Sequence, residues 1–148
     1  MTDPDFGYVT EENLGLFTDL YELTMLQGYM EESHNPRAVF DLFFRRLPEN
    51  RGYVVAAGLE QAVHYLQNLE FSERAIEYLK ESFEDEFLDY LSSFEFTGDV
   101  RAVPEGTPVF PDEPLIEVEA PVMQAQMFET LLINQVAFQS LVATKAAR

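Results

Sequence analysis

A tyrosine at a helix entrance and a pair of adjacent arginines are the residues here whose types and spacing could do chemistry. Tyr21 stands in Thr18-Asp19-Leu20-Tyr21-Glu22, at the start of the segment LFTDLYELTMLQGYMEE. Thr18 fits a helix N-cap, and Asp19 and Glu22 place carboxylates in the first turn, where the helix dipole favours them. A flat ring beside the unpaired N–H groups of that turn could hold a flat anion. The same tyrosine lies at i, i+4 spacing from Met25 and then Tyr29, and spacing alone favours a packing role. Leu23, Leu26 and Met30 form a second stripe. Two stripes predict two partners for this helix, one of which could be another subunit.

Arg45-Arg46 closes a predicted strand over Arg37–Arg46, in which Ala38, Phe40, Leu42 and Phe44 share one face. The arginine fork suits phosphate or carboxylate; in a chain this acidic, surface pairing with Asp or Glu is the other reading. His34 reads as a loop residue beside the Asn35-Pro36 breaker, and His64 as the wet side of a helix. Lys145 and Arg148 fall in the last turn of the final helical segment, where cations complement the dipole. Were that helix to continue, both would become candidates to face an anion. No G-x-G-x-x-G, P-loop, H-E-x-x-H or G-x-S-x-G is present, and carboxylates are too common for any pair to stand out as acid and base.

Composition narrows the classes. The 148 residues carry 27 acidic and 9 basic side chains, a net charge of −18. That balance disfavours nucleic acid and anionic membranes as partners. Apolar content of 47% and aromatic content of 14% argue for a real core rather than disorder. The absence of cysteine excludes disulfides, Cys-ligated metals and a Cys nucleophile. The acidic, polar start predicts no secretory signal and a cytoplasmic protein. The charge is spread along a Lys-poor chain, which is the surface expected of a protein adapted to high salt.

These residues need elements to position them. Residues 1–15 read as a loosely held arm. Residues 16–121 read as an α+β domain. Its middle is helical: 58–69 with Leu59, Ala62, Leu66 and Leu69 inside, a helix capped by Ser72, and a third around 84–91. From Phe96 to Pro121, five of the eight prolines and alternating apolar residues (Val100, Ala102; Ile116, Val118, Ala120) predict short antiparallel strands in a small sandwich or barrel. This block resembles biotinyl or lipoyl carrier domains only superficially, because no lysine lies between residues 81 and 144. Residues 122–148 contain no Gly or Pro and read as one helix of about 40 Å. It is too polar to span a membrane and too apolar for a surface helix. It reaches Arg148 without a stop signal, which predicts that the natural chain continues.

Four stretches, in this order, carry a family resemblance: FTDLYELTMLQGY, FDLFFRRLP, VPEGTPVFPDEPLIEVEAP and ETLLINQVAFQSLVATKAAR. They resemble the N-terminal part of nicotinate phosphoribosyltransferase, over about Leu16 to Arg148. The resemblance implies an N-terminal α+β domain of a type II phosphoribosyltransferase, with helices, a small antiparallel sandwich and a long helix leading toward an α/β barrel absent here. It implies an enzyme that joins nicotinate to 5-phosphoribosyl 1-diphosphate, giving nicotinate mononucleotide for NAD salvage. ATP hydrolysis, with Mg2+, is coupled through a phosphohistidine in the barrel. It also implies a homodimer in which the N-terminal domain of one chain covers the barrel of the other. By residue, Tyr21 matches the family tyrosine that stacks on the pyridine ring, with Asp19 and Thr18 shaping the helix entrance. Arg45, Arg46 and Arg148 match anion contacts. No catalytic or metal-binding residue carries over, and neither histidine stands in the phosphohistidine context. This chain alone is therefore expected to be inactive. The competing readings are a non-catalytic module that pairs with a separate barrel chain or a full-length homologue, and a non-functional remnant.

Overall fold

The structure, a computed structural model, describes residues 11–47 and 49–147. Residues 1–10 of the expected arm lie outside it. The described remainder is not loosely held, because Glu11–Leu16 forms a 3-10 helix whose Leu14 is buried in the core. Gly15 runs close against Glu70 and Phe71. A Cβ there would lie 2.8 Å from the Glu70 carbonyl oxygen and 2.9 Å from the Phe71 ring.

Helix α1 (Leu20–Glu31) follows, then strand β1 (Arg37–Leu42) and the two-residue strand β2 (Val54–Val55). Three helices come next: α2 (Leu59–Asn68), α3 (Glu73–Leu79) and α4 (Asp85–Ser92). Ser72 caps α3 as its type predicts, its hydroxyl accepting from the Ala75 N–H at 3.2 Å. Phe87, Leu88 and Leu91 of α4 are buried, again as the spacing predicts.

Strands β3 (Asp99–Ala102), β4 (Pro108–Val109) and β5 (Ile116–Pro121) complete the β structure. They do not form a sandwich by themselves. The main sheet is antiparallel in the order β1-β5-β3, and β2 pairs with β4 in a separate ribbon. The central strand β5 has Ile116, Val118 and Ala120 on its buried face. Its register with β1 runs from Arg37↔Pro121 to Leu42↔Ile116, so β1 ends at Leu42, four residues earlier than expected, where its partner ends. On the open face, Arg37 pairs with Asp99 and Glu119 at 3.4 and 3.3 Å, and Arg101 pairs with Glu117.

The expected single long helix is interrupted. Helix α5 (Val122–Gln126) stops before Met127-Phe128, and α6 (Glu129–Leu132), a π turn (Ile133–Ala137) and α7 (Phe138–Ala146) follow. Phe128 is fully buried, with φ −94° and ψ 0°. Its ring meets Phe96 at 5.2 Å and Phe94 at 6.1 Å, edge to face. The helix breaks where this ring turns inward, without Gly or Pro. The π turn lies against the start of α2: Gly58 has φ +87°, and a Cβ there would sit 2.8 Å from the Gln135 carbonyl oxygen. Beyond it, α7 acts as an edge for β2. Thr144 Oγ1 accepts from the Val55 N–H at 2.8 Å, and Ser140 Oγ accepts from Ala57 N–H at 3.0 Å. Half-buried backbone donors that lack a strand partner are satisfied this way.

Candidate functional site

The entrance of α1 is built by one buried carboxylate. Glu22 is fully buried, and two backbone N–H groups donate to it, Asp19 at 3.1 Å and Thr130 at 3.2 Å. The Thr18 hydroxyl donates to the same carboxylate. Desolvation pushes the Glu22 pKa up from the ordinary glutamate value, and the donors from Thr18, Asp19 and Thr130 oppose that rise. The N-cap is Asp19, in extended backbone, and not Thr18 as its type suggested. Thr18 is drawn off to Glu22, while Asp19 Oδ2 accepts from the Thr130 hydroxyl at 2.7 Å. Thr18, Asp19 and Glu22 thus join the first turn of α1 to the start of α6.

Tyr21 stands on the open side of that junction, 47% exposed. Interaction of its hydroxyl with the Glu129 carboxylate pushes its pKa up to about 12, with lesser contributions from desolvation, Glu22 and Asp19. Glu129 also accepts from the Gln126 side chain at 3.1 Å. Leu20 and Met25 are exposed on the same helix, while Leu23 and Leu26 are buried. The stripe carrying Tyr21 and Met25 is therefore the open one, as two-sided patterning predicts.

The two arginines separate. Arg45 lines a groove of about 640 Å³ with Phe40, Phe43, Glu129 and Ile133. Its guanidinium carbon sits 6.0 Å from the centre of the Phe43 ring. Arg46 lines a smaller apolar groove of about 180 Å³ with Phe44, Val54 and Leu141. Arg45 therefore lines the same groove as Glu129, and Arg46 belongs to the α7 side. Arg148 lies outside the described residues. Sequence reasoning missed Arg51, which donates to the Thr144 carbonyl at 2.9 Å near the end of α7. It also missed the burial of Glu22, because a first-turn glutamate ordinarily signals dipole pairing in water.

His34 and His64 are exposed, His34 beside the Tyr29 ring and His64 beside Asn68. A cleft of about 1050 Å³ between His64, Asn68, Glu70 and Asp99 contains none of Tyr21, Arg45 or Arg46. Among the described residues, no group of three or more His, Cys, Asp or Glu side chains could hold a metal ion. No helix among them is long and apolar enough to cross a membrane.

The N-terminal domain model of nicotinate phosphoribosyltransferase (NAPRTase) matches residues 16–137. The chain belongs to the nicotinate phosphoribosyltransferase family. It is 50% identical over 135 residues to nicotinate phosphoribosyltransferase pncB2 of Mycobacterium tuberculosis, covering 90% of this chain and 29% of that one. It is 44% identical over 147 residues to the Bacillus subtilis nicotinate phosphoribosyltransferase, covering 97% of this chain and 30% of the relative. The crystal structure of the human nicotinic acid phosphoribosyltransferase superposes with a TM-score of 0.81 at 36% identity, over 88% of this chain and 27% of that one. A nicotinate-nucleotide pyrophosphorylase of Pyrococcus furiosus shares the fold, with a TM-score of 0.67 at 20% identity. The chain thus spans less than a third of the length of these nicotinate phosphoribosyltransferases. Within that family its α+β architecture, with helices around a small antiparallel sheet, is the N-terminal domain.

Proposed function

We propose that this chain is the N-terminal portion of a nicotinate phosphoribosyltransferase. The complete enzyme joins nicotinate to 5-phosphoribosyl 1-diphosphate, with coupled ATP hydrolysis of the ligase type, and feeds nicotinate mononucleotide into NAD salvage. The observation that carries this is the exposed Tyr21 ring at the α1 entrance, in a chain whose family match is unambiguous.

In this reading Tyr21 offers a flat face to the pyridine ring, and Thr18 and Asp19 fix the helix entrance beneath it. Arg45, Arg46 and Arg148 supply charge for carboxylate or phosphate. The surfaces that complete the site come from a barrel, in the same or a partner polypeptide, and the assembly is a homodimer. ATP is the co-substrate of the complete enzyme. Mg2+ finds no acidic cluster among the described residues, so no metal-binding role is assigned to them. Phosphoribosyl transfer depends on positioning and charge stabilisation from all sides of the substrate, so the chain alone has no activity. We place the protein in the cytoplasm, and read its charge of −18 as adaptation to high salt.

The test joins residues 1–148 to the barrel portion of the Bacillus subtilis relative, in place of that enzyme's own N-terminal part. Nicotinate mononucleotide formation by the chimera, with none by the isolated chain, is the expected result. Turnover by the isolated chain would refute the division of labour. A chimera that folds and dimerises but forms no product would refute the enzyme reading.

A further inference from the structure

The site reading leaves one buried ionisable group without a function. Glu22 lies wholly inside the protein. It neighbours Tyr21 in sequence, and its partner Thr130 neighbours Glu129. Two successive residues of α1 thus stand near two successive residues of α6, with one of the pairs forming a buried rung. The buried rung joins the Glu22 carboxylate to the Thr130 N–H at 3.2 Å. On the open side Tyr21 and Glu129 are the next residues of the same two elements, and Glu129 is itself held by Gln126 at 3.1 Å. Around the buried rung, Asp19 N–H donates to Oε2 at 3.1 Å and the Thr18 hydroxyl donates to the same oxygen. The Thr130 hydroxyl closes the ring onto Asp19.

We propose that Glu22 is the positioning residue for Tyr21, clamping the first turn of α1 to α6 so that the helix turn that carries the aromatic ring is held in one place and the ring in one orientation. The chemistry requires a carboxylate of this length. Each of its oxygens accepts a backbone N–H from a different element, so both ends must be acceptors. An amide would turn its NH2 toward one of those N–H groups. An aspartate keeps the charge but is one methylene too short to span both. The inference deepens the nicotinate reading, since a preorganised ring stacks on a flat substrate without first being ordered.

The test uses the full 148-residue chain, with tyrosines labelled at 13Cζ and Tyr21→Phe to assign the signal. The groups facing Tyr21 are Glu129, Glu22 and Asp19, so charge must be separated from position. Glu22→Asp does this, because it retains the charge. In the parent, the Tyr21 hydroxyl titrates near 12 and its χ1 couplings report one rotamer. In Glu129→Ala, titration falls toward the free tyrosine value of about 10. In Glu22→Asp, the χ1 couplings average and the titration falls by about one unit, although no charge is lost. Leu26→Ala, a core change of comparable or larger cost, leaves the Tyr21 signals in place. A Glu22→Asp chain with one Tyr21 rotamer and an unshifted titration would overturn the proposal. So would a Leu26→Ala chain that disturbs Tyr21 equally, since the effect would then be general loosening. Neither outcome involves nicotinate, so the enzyme reading would survive it.

Discussion

At the scale of single residues, the protein contains two polar groups whose burial sets testable costs. The Tyr90 hydroxyl is buried without a hydrogen-bond partner, and that burial pushes its pKa up to about 12. Its ring packs between Phe87 and Phe94 at 6.2 and 6.1 Å. Tyr90→Phe keeps the ring and removes an unsatisfied group, so urea denaturation should show a gain of up to about 1 kcal/mol. A clear loss would mean that the hydroxyl has a partner. Glu22 behaves oppositely to an ordinary surface-paired carboxylate. Its folded pKa is raised, so the native state binds its proton more readily than the unfolded chain does. Its contribution to stability is then fullest below the unfolded value of about 4.3 and is lost as pH rises through the folded pKa. Lowering the pH toward the unfolded value should therefore raise the thermal midpoint, and Glu22→Gln should flatten part of that slope. A midpoint that falls over this range would contradict the assignment.

At the scale of elements, the last helical segment fixes both the small ribbon and the α1 entrance. Ser140 and Thr144 serve the β2 segment as a neighbouring strand would, so Thr144→Val leaves the half-buried Val55 N–H without this partner. Denaturant melts should show a loss of about 1–3 kcal/mol, and an unchanged midpoint would show that water replaces the hydroxyl. This is also where the sequence was least legible. The periodicity from Val122 onward correctly gave a helical segment, but not partners on most sides, since Phe138, Leu141 and Val142 of α7 are exposed. It could not show the break at Phe128, because an inward-turning aromatic leaves no Gly or Pro as a marker. The two faces of α1 were legible from i, i+4 spacing, and so were the Ser72 cap and the buried residues of α4. The pairing of β1 with β5 was not, since about 80 residues separate the strands and each alternates alone. Thr18, Asp19 and Tyr21 were legible as a group, but the reason they hold together was not. Thr130 lies 108 residues from Glu22, and local pattern carries no information across that span. Arg45 and Arg46 read as a pair, yet they line different grooves because the chain turns after β1.

At the scale of the whole molecule, charge and the chain's short span relative to its family dominate. A net charge of −18 on 148 residues sets self-repulsion against folding, and cross-strand pairs such as Arg37–Glu119 offset it locally. Screening shortens the range of that repulsion, to about 3 Å in molar salt. The thermal midpoint should rise steadily from low salt to molar potassium chloride; no change would remove the high-salt reading. The exposed apolar side chains Tyr21, Met25, Ile133, Phe138 and Leu141 lie on the α1 entrance and the last helices, the elements that also carry the candidate substrate contacts. The central claim is that Tyr21 forms one wall of a nicotinate pocket completed by a barrel. Its most direct test is the steady-state kinetics of Tyr21→Ala in the barrel-joined enzyme. The account predicts a rise in the nicotinate KM of about tenfold, from lost stacking and burial, with a much smaller change in the KM for 5-phosphoribosyl 1-diphosphate. Equal nicotinate KM values for the variant and the parent would contradict it.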